Sequence, residues 1–335
     1  MNDDQGRRPR RFAAFAGSLA LGAALVLSAC GGAAETPDDS GATATTRTAT
    51  TAATATSGHT MASATPGHTM PTPKATATGE SGSSDYPAIT IDAADFSFSG
   101  PGTIPAGWVK VTMLNTGAEP HHAQFMRVND DATMEQVQAA LEQSPEAAFQ
   151  FVTFQGGPAG VIPGGTSEVY VDLPAGQYLL VCFLPSPDGV PHVAKGMIMP
   201  VTVSDSGDST TTAAMPPTDT TITFDDFAFE MPDTLSAGHH DIEVVNVGQQ
   251  PHEMSVLKLA DGATADDVNA FFMGQTAGPP PFADFGGMQG IMPGATAVLS
   301  LNLEPGTYFA SCMIPDPASG ESHLALGMGQ IFTVE

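Results

Sequence analysis

Apolar and polar residues alternate along most of the chain from residue 86 to residue 335, in short runs bounded by Gly, Pro and Asn. Alternation with a period of two is typical of strands that bury one face. Short strands at this spacing predict a β-sandwich. In the first half of the region the predicted strands are 88–98, 108–114, 123–128, 167–173, 177–183 and 197–203.

One segment of each half departs from this alternation. A stretch that begins at Thr133 places Val137, Ala140 and Leu141 at helical spacing, and Thr133 is a suitable N-cap. Residues 266–272 form a shorter counterpart in the second half. The sequence therefore predicts a small helical flap in each half.

The second half of this region repeats the first. Residues 95–98 (Asp-Phe-Ser-Phe) match residues 226–229 (Asp-Phe-Ala-Phe), and the turn 115–121 matches the turn 246–252. An internal repeat predicts two copies of one folded unit. We assign residues 86–204 and 218–335 to these units and residues 205–217, rich in Ser, Thr, Gly and Pro, to a linker. Units of roughly 120 residues can each stabilise their own core.

The first 30 residues form a different segment. Four arginines, at positions 7, 8, 10 and 11, precede an apolar run at 12–27 that is short for a membrane span. The run ends in Leu-Ser-Ala-Cys, which resembles the lipobox of bacterial lipoproteins. That resemblance implies a lipoprotein signal peptide at residues 1–30. It also implies an exported protein, lipid-modified at Cys30 and anchored to the outer face of the bacterial cytoplasmic membrane. The alternative is a buried helix with a chance cysteine.

Residues 31–85 contain mainly Thr, Ala, Ser, Gly and Pro. Such a segment buries too little apolar surface to offset its ordering entropy, so it predicts a disordered tether. Gly-His-Thr-Met occurs in it twice, at 58–61 and 67–70. His and Met are copper ligands by type, so this pair of motifs indicates either metal capture or a low-complexity duplication without a role.

The formal net charge of −26, from 36 acidic and 10 basic residues, limits the partners. It argues against nucleic acid, which needs a basic face. It favours a basic redox protein as partner. It also opposes binding to an anionic membrane surface, so membrane attachment has to come from the N-terminal lipid.

The chain has three cysteines, and two of them occupy the same place in the two units. Each is followed, on a Pro/Gly-rich loop, by a His and then a Met. A thiolate, an imidazole and a weak axial thioether are three of the four ligands of a blue-copper site. A disulfide between the two units is the alternative, because export permits one. The residues are Cys182, His192 and Met197 in the first unit and Cys312, His323 and Met328 in the second.

Each unit resembles the cupredoxins, the blue-copper family of plastocyanin, azurin and auracyanin. The shared features are an Asn-x-Gly…Pro-His turn, a middle segment with a helical flap, and a Gly-x-Tyr strand that leads into Cys…His…Met. The resemblance covers 86–204 and 218–335. It implies an all-β fold of two tandem Greek-key β-sandwiches that hold two type 1 copper ions. The implied ligands are His121, Cys182, His192 and Met197, and His252, Cys312, His323 and Met328.

Three further histidines need an interpretation. His122 follows His121, so the first imidazole ligand is ambiguous, but the second unit has Glu253 at that position, which favours His121. His239 and His240 occupy a strand where the first unit has Trp108 and Val109. We interpret them as surface strand residues and not as ligands.

The resemblance implies a non-enzymatic electron carrier that passes single electrons from one redox protein to another. A copper-delivery protein is the first alternative, and a two-domain copper reductase or oxidase is the second. Those enzymes place a His beside the copper-binding Cys, whereas Val181 and Phe183 flank Cys182 here, and Ser311 and Met313 flank Cys312. Zinc is disfavoured because structural zinc sites rarely use a thioether.

Overall fold

The structure, a computed structural model, describes residues 86–205, 214–272, 275–276 and 278–335. These residues belong to one compact unit. The predicted signal peptide with Cys30, the predicted tether with its two Gly-His-Thr-Met motifs, and part of the predicted linker lie outside the described residues.

Nine strands make up the described part of the first repeat, residues 86–204. Buried and partly exposed side chains alternate along most of them, as expected for strands with one face against a core. They are β1 (Ala88–Ala94), β2 (Ser97–Ser99), β3 (Thr103–Pro105), β4 (Gly107–Asn115), β5 (Gln124–Val128), β6 (Val152–Phe154), β7 (Thr166–Leu173), β8 (Gly176–Val181) and β9 (Ile198–Ser204).

The described part of the second repeat, residues 218–335, has a counterpart for each of these strands in the same order. They are β10 (Thr220–Asp225), β11 (Ala228–Glu230), β12 (Thr234–Leu235), β13 (Gly238–Asn246), β14 (His252–Leu259), β15 (Phe282–Ile291), β16 (Thr296–Leu303), β17 (Gly306–Ser311) and β18 (Gly329–Val334).

Each repeat carries the predicted helix between its fifth and sixth strands. Helix α1 (Met134–Leu141) begins at Thr133, which forms a capping box with Gln136. Helix α2 (Ala265–Phe272) begins after Thr264, whose hydroxyl and backbone N–H both bond to Asp267. A 3-10 helix, Glu146–Phe151, follows α1 in the first repeat.

The strands form two sandwiches that share one sheet. A five-stranded sheet, ordered β3-β9-β8-β5-β6, covers the first repeat, and its counterpart, β12-β18-β17-β14-β15, covers the second. The facing layers of both are joined in one eight-stranded sheet, ordered β11-β10-β13-β16-β7-β4-β1-β2. The fold class predicted from the sequence is confirmed: the chain is all-β, with two tandem cupredoxin-like sandwiches, each with a small helical flap.

The repeats are related by an approximate two-fold axis at the junction of β7 and β16. These strands pair antiparallel with Val169 opposite Leu299, and both residues lie four positions before the Leu that ends their strand. A second set of contacts is reciprocal. The Ala159 N–H donates to the Gly287 carbonyl at 3.1 Å, and the Gln289 N–H donates to the Gly157 carbonyl at 2.8 Å. This junction was not predicted from the sequence.

One predicted strand is divided in the structure. Residues 88–98 form β1 and β2, which pair antiparallel with Ala94 opposite Ser97. The chain reverses at Asp95 and Phe96, and Phe96 has a φ of 62°. Its counterpart Phe227 has a φ of 64°. A left-handed backbone is uncommon for a bulky residue, so the same departure in both repeats points to a constraint at this position.

No helix in the described part of the chain has the length and apolar character needed to cross a membrane.

Candidate metal centres

The first imidazole of each predicted site is held by an asparagine-stabilised turn. The buried Asn115 side chain donates to the carbonyl oxygens of Glu119, at 2.8 Å, and Val161, at 2.7 Å, and accepts from the Gly117 N–H at 2.9 Å. Asn246 makes the equivalent three bonds in the second repeat. The turn therefore leads into His121 or His252 with its backbone polar groups satisfied.

The glycine of the Asn-x-Gly motif is needed because the turn passes close to the ligand. A Cβ atom added at Gly117 would clash with Asp95 and with the His121 ring. A Cβ added at Gly248 would clash in the same way with Asp226 and the His252 ring. Any side chain here would displace the imidazole or its carboxylate partner.

The cysteine and the second histidine are held together by backbone bonds across one loop. Cys182 lies directly after β8, and the Val193 N–H donates to its carbonyl at 2.8 Å. The His192 N–H donates to the Leu184 carbonyl at 2.9 Å, and His192 begins a short 3-10 helix. The loop is thus folded back so that the His192 ring reaches the Cys182 sulfur.

The structure brings together the predicted first-site residues His121, Cys182 and His192, all fully buried. The two Nδ1 atoms are 3.1 Å apart, and Cys182 Sγ is 3.4 Å from His192 Nδ1. The three candidate ligand atoms all lie within 4.8 Å of one another, close enough to hold one metal ion.

The second repeat reproduces this arrangement with His252, Cys312 and His323, again fully buried. The Nδ1 atoms are 3.0 Å apart, and Cys312 Sγ is 3.4 Å from His323 Nδ1. These three candidate ligand atoms also lie within 4.8 Å of one another. Both cysteines are free of disulfides, which removes the alternative of a Cys182–Cys312 bridge.

Hydrogen bonds at the far side of the first pair of rings determine which nitrogens face the thiol. His121 Nε2 lies 3.1 Å from Asp95 Oδ1, and His192 Nε2 lies 2.8 Å from Glu119 Oε2. A carboxylate accepts only, so each Nε2 carries the proton and each Nδ1 presents a lone pair. The two lone pairs, on nitrogens 3.1 Å apart, can both be directed at one metal ion.

In the second site, one carboxylate and one amide accept the hydrogen bonds from the two Nε2 atoms. His252 Nε2 donates to Asp226 at 3.1 Å, and His323 Nε2 donates to Gln250 Oε1 at 3.1 Å. The Gln250 amide nitrogen donates to Asp316 at 3.0 Å, and this bond turns the amide oxygen toward His323. Both Nδ1 atoms of the second site are therefore also free to bind a metal.

The carboxylates at the first imidazoles are held in their charged form. Burial acts to raise the pKa of Asp95, but hydrogen bonds from the Glu119 and Ala118 N–H groups and from His121 outweigh it, and the net pKa is lowered. The pKa of Asp226 is lowered by the equivalent bonds against the same burial. An ionised carboxylate behind the ring makes the imidazole a better metal ligand.

In the metal-free protein, burial shifts the pKa values of the imidazole and thiol ligands in opposite directions. Burial lowers the pKa of His121 and His252, and it lowers the pKa of His323 to about 4. Burial raises the pKa of Cys182 to about 12 and raises that of Cys312 as well. Metal binding therefore has to release the thiol protons.

Backbone N–H groups point at both sulfur atoms. The His122 N–H lies 3.5 Å from Cys182 Sγ, and the Glu253 N–H lies 3.5 Å from Cys312 Sγ. Hydrogen bonds to a ligand sulfur withdraw electron density from it and tune the redox potential of the metal.

The two predicted axial methionines are joined to these groups through their backbones. Met197 is fully buried, its N–H donates to the His192 carbonyl at 2.9 Å, and its carbonyl accepts from Cys182 at 3.3 Å. Met328 is also fully buried and makes the equivalent bonds to His323 at 2.8 Å and Cys312 at 3.2 Å. The backbone of each Met is thus tied to two of the candidate ligands of its own repeat.

Sequence reasoning missed an aromatic residue at each centre. The Phe96 ring packs edge-on against the His192 ring, with centroids 5.3 Å apart, and Phe227 packs against His323 at 5.2 Å. Among the described residues other than glycine, these are the two with a positive φ. The repeated Asp-Phe-x-Phe was the available signal, since its Asp holds the first imidazole and its first Phe covers the second.

His122 and Glu253 occupy equivalent buried positions next to the first ligand but do not join it. His122 Nε2 accepts from the Phe183 N–H at 2.7 Å, and Glu253 Oε1 accepts from the Met313 N–H at 3.0 Å. Burial lowers the pKa of His122 to about 3 and raises that of Glu253 to about 7. Each therefore supports the residue after its cysteine.

The two histidines on β13 lie apart from both sites. The His239 side chain is exposed and pairs with Asp241. His240, which we interpreted as a surface residue, is instead buried, and it bonds to Ser236 and Asp219. Among the described residues, the two His/Cys/His groups are the only groups of His, Cys, Asp or Glu with ligand-like proximity.

No protein-family model matches this sequence, and no curated protein sequence matches it. Similar solved structures include auracyanin from Roseiflexus castenholzii, which is 23% identical, covers 35% of this chain and 96% of its own, and has a TM-score of 0.24. The blue copper oxidase of Nitrosomonas europaea is 15% identical and covers 75% of this chain and 86% of its own, with a TM-score of 0.23.

The copper-containing nitrite reductase of Thermus scotoductus is also similar, with 12% identity, 74% coverage of this chain, 61% coverage of its own and a TM-score of 0.22. These scores are low, so the fold and the metal assignment rest on the strand order and ligand geometry of this chain.

Proposed function

We propose that this protein is a two-site blue-copper electron carrier, with one type 1 copper ion in each repeat. The observation that supports it is the pair of buried triads, each with two imidazole Nδ1 atoms and one sulfur within 4.8 Å. Two imidazoles and a thiolate in a trigonal set, with a weak axial thioether, are the donor set of blue copper. Met197 and Met328 are proposed to supply the thioethers.

Copper, when bound, would supply a one-electron redox couple at each centre. The residues of this chain contribute rigidity and exclusion of water. Asp95 and Glu119 fix the two imidazoles of the first centre from behind, and Asp226 and Gln250 do so in the second. Since the ligands are held before the metal arrives, little rearranges when an electron enters or leaves.

Burial supports electron transfer over the delivery of copper ions. All six His and Cys ligands are fully buried, so a bound ion has no direct route to an acceptor protein. Electrons, in contrast, can leave through the protein without exposure of the metal. The acidic surface implied by a net charge of −26 favours a basic redox protein as donor or acceptor.

The choice between carrier and enzyme is part of this proposal. A reductase or oxidase needs a second type of metal centre with an open coordination position. His122, His239 and His240 are the described histidines outside the triads, and each has a different set of partners. We therefore propose that the protein passes electrons and turns over no small molecule.

Attachment to the outer face of the bacterial cytoplasmic membrane through a lipid on Cys30 also belongs to this proposal. It is supported by the lipobox-like Leu-Ser-Ala-Cys and by the basic and apolar residues before it. In membrane fractions of the producing cells, the full-length protein is expected with the membranes. A Cys30→Ser variant is expected in the soluble exported fraction, whereas an unchanged distribution would contradict the lipid anchor.

The experiment for electron transfer is a count of electrons passed to a basic cytochrome in a stopped-flow spectrometer. The fully reduced protein is expected to deliver two electrons, and Cys182→Ser and Cys312→Ser variants one each, with copper retained throughout. Transfer of copper to a chelator on the same timescale would favour delivery. Catalytic reduction of oxygen or nitrite would instead make the protein an enzyme.

A further inference from the structure

A cavity of about 260 Å³ lies between the two repeats, close to their approximate two-fold axis. Its walls come from equivalent places in both repeats. Phe183 and Leu184, which follow Cys182, face it from one side, and Met313 and Ile314, which follow Cys312, face it from the other. The cavity is separate from both metal centres and contains none of their proposed ligands.

Part of the wall is aromatic. Phe149 contacts Phe154 and Phe183 edge-on, with ring centroids 5.0 and 6.0 Å apart, and Phe272 contacts Phe285 at 6.1 Å. All five rings line the cavity. Aromatic rings that surround a space in this way offer both faces and edges to a further ring, in the stacked and T-shaped arrangements that aromatic pairs prefer.

The other part of the wall is polar, and it is unusually buried. Five polar side chains line the cavity, each more than nine-tenths buried: His122, Gln124, Glu253, Ser255 and Gln289. Buried polar groups are normally hydrogen-bonded to protein or to an occupant of the site. The atoms that these side chains leave without a protein partner therefore indicate which hydrogen bonds an occupant has to make.

Two of these side chains have no hydrogen-bond partner within the described part of the chain: the Ser255 hydroxyl and the Gln289 amide. Glu253 uses one carboxyl oxygen, for the Met313 N–H. Gln124 uses its amide nitrogen for three carbonyl groups and leaves its oxygen unused. His122 accepts at Nε2 and so has an Nδ1–H to donate.

The unused groups include both donors and acceptors. A hydroxyl group on a ligand donates one hydrogen bond and accepts two, so it can bond both to the unused acceptors and to the unused donors. The five phenylalanine rings that line the same cavity favour an aromatic ring in the ligand. A volume of about 260 Å³ is at the lower end of the range for small-molecule sites, which limits the ligand to one or two rings.

We propose that this cavity binds a small hydroxylated aromatic molecule, with its ring among the five phenylalanines and its hydroxyl group on the polar wall. The ligand would span the two repeats and contact the residues that follow both cysteines. This site is independent of the copper assignment, because none of the side chains that form it is a proposed metal ligand.

The test is a binding titration with 2-naphthol, followed by its own fluorescence, on full-length protein kept reduced with ascorbate. One molecule per chain is expected to bind, with a dissociation constant of roughly 10–100 μM. Naphthalene, which lacks the hydroxyl, is expected to bind roughly tenfold more weakly. Absence of saturable binding, or equal affinity for both probes, would overturn the proposal.

Two variants test the two walls. Gln289→Leu preserves volume and removes one polar partner, so it is expected to weaken 2-naphthol binding roughly tenfold and leave naphthalene binding unchanged. Ser255→Phe fills the cavity and is expected to abolish binding of both. Gln177→Leu, an equivalent change at an exposed position on β8, is the control and is expected to change nothing.

Near-ultraviolet circular dichroism establishes that each variant is folded. If Ser255→Phe does not fold, the comparison of the two probes on Gln289→Leu decides the outcome. A Gln289→Leu protein that binds 2-naphthol as tightly as the parent would overturn the assignment of the polar wall, and binding retained by a folded Ser255→Phe protein would overturn the site.

Discussion

The two candidate metal centres present the same three ligand atoms but have different surroundings. Glu119 holds the second imidazole of the first centre, whereas Gln250 holds that of the second. Next to the first ligand, the first repeat buries His122 and the second buries Glu253. The residues that set ligand geometry are thus repeated, while the charges around them are not.

The residues that both repeats share and the residues that differ between them have separate roles. The Asn-x-Gly turn, the Asp behind the first imidazole and the left-handed Phe occur in both copies, because the geometry of the triad requires them. The positions that differ leave the triad in place and change its electrostatic environment. Two centres built alike can therefore have different stabilities toward pH and different potentials.

The largest expected effect is a loss of folding stability at acidic pH, caused by the buried His122. The unfolded state binds a proton at this residue near pH 6.5 and the folded state only near its pKa of about 3, so stability is lost as the pH falls through this window. At pH 4 the loss is about 3 kcal/mol. The measurement is urea unfolding of the metal-free proteins at pH 8 and at pH 4. The free energy of unfolding of His122→Gln, relative to that of the parent, should be about 3 kcal/mol higher at pH 4 than at pH 8.

Glu253 should have the opposite effect, a loss of folding stability as the pH rises. The unfolded state releases this proton near pH 4.5 and the folded state near its pKa of about 7, so stability is lost as the pH rises through this window. By pH 8 the loss is about 3 kcal/mol, which Glu253→Gln should restore. Each variant is the control for the other, and the same pH dependence in both would refute the comparison.

A smaller effect is expected where the two centres are alike. Asp95→Ala and Asp226→Ala each remove the acceptor behind the first imidazole. Loss of such a partner typically lowers metal affinity 10- to 100-fold. Competition with a chelator should show this loss, of order 10- to 100-fold, at the altered centre and no change at the other.

The matched control for the second centre is Asp226→Asn, which removes the same charge and keeps an oxygen that can accept from the His252 ring. It is expected to change copper affinity much less than Asp226→Ala. Equal losses in the two variants would mean that charge alone, and not the hydrogen bond to the imidazole, determines the affinity.

The smallest effect concerns the reduction potentials. A negative charge near the metal stabilises Cu(II) more than Cu(I), so Glu119→Gln should raise the potential of the first centre and Gln250→Glu should lower that of the second. At about 1 kcal/mol for a partly exposed charge, each shift is roughly 40 mV. Voltammetry in Cys312→Ser and Cys182→Ser backgrounds measures one centre at a time, and shifts of the same sign would contradict the account.

The sequence was sufficient for the elements with a strong local pattern. The alternation predicted most strands of the first repeat, but not the short β3 and β6. Thr133 predicted the start of α1, and the order Cys…His located two of the three residues that the structure places in one buried group in each repeat. These features depend on residues close in sequence or on a repeated motif, and both are visible in one chain.

The junction between the repeats could not be predicted in this way. The pairing of β7 with β16 depends on contacts between residues far apart in sequence, such as Val169 and Leu299. His240 was misread for a related reason, since its burial depends on Ser236 and Asp219 rather than on the strand pattern. The turn at Phe96 was missed because no glycine marks its left-handed backbone.

The central claim is that each repeat holds one copper ion through its own thiolate. Its most direct test is a titration of the metal-free protein with Cu(II), followed by the visible thiolate-to-copper absorption. Two equivalents should bind, and Cys182→Ser and Cys312→Ser should each remove about half of the absorption. Absorption that stays complete in either variant, or is absent from the parent protein, would contradict the claim.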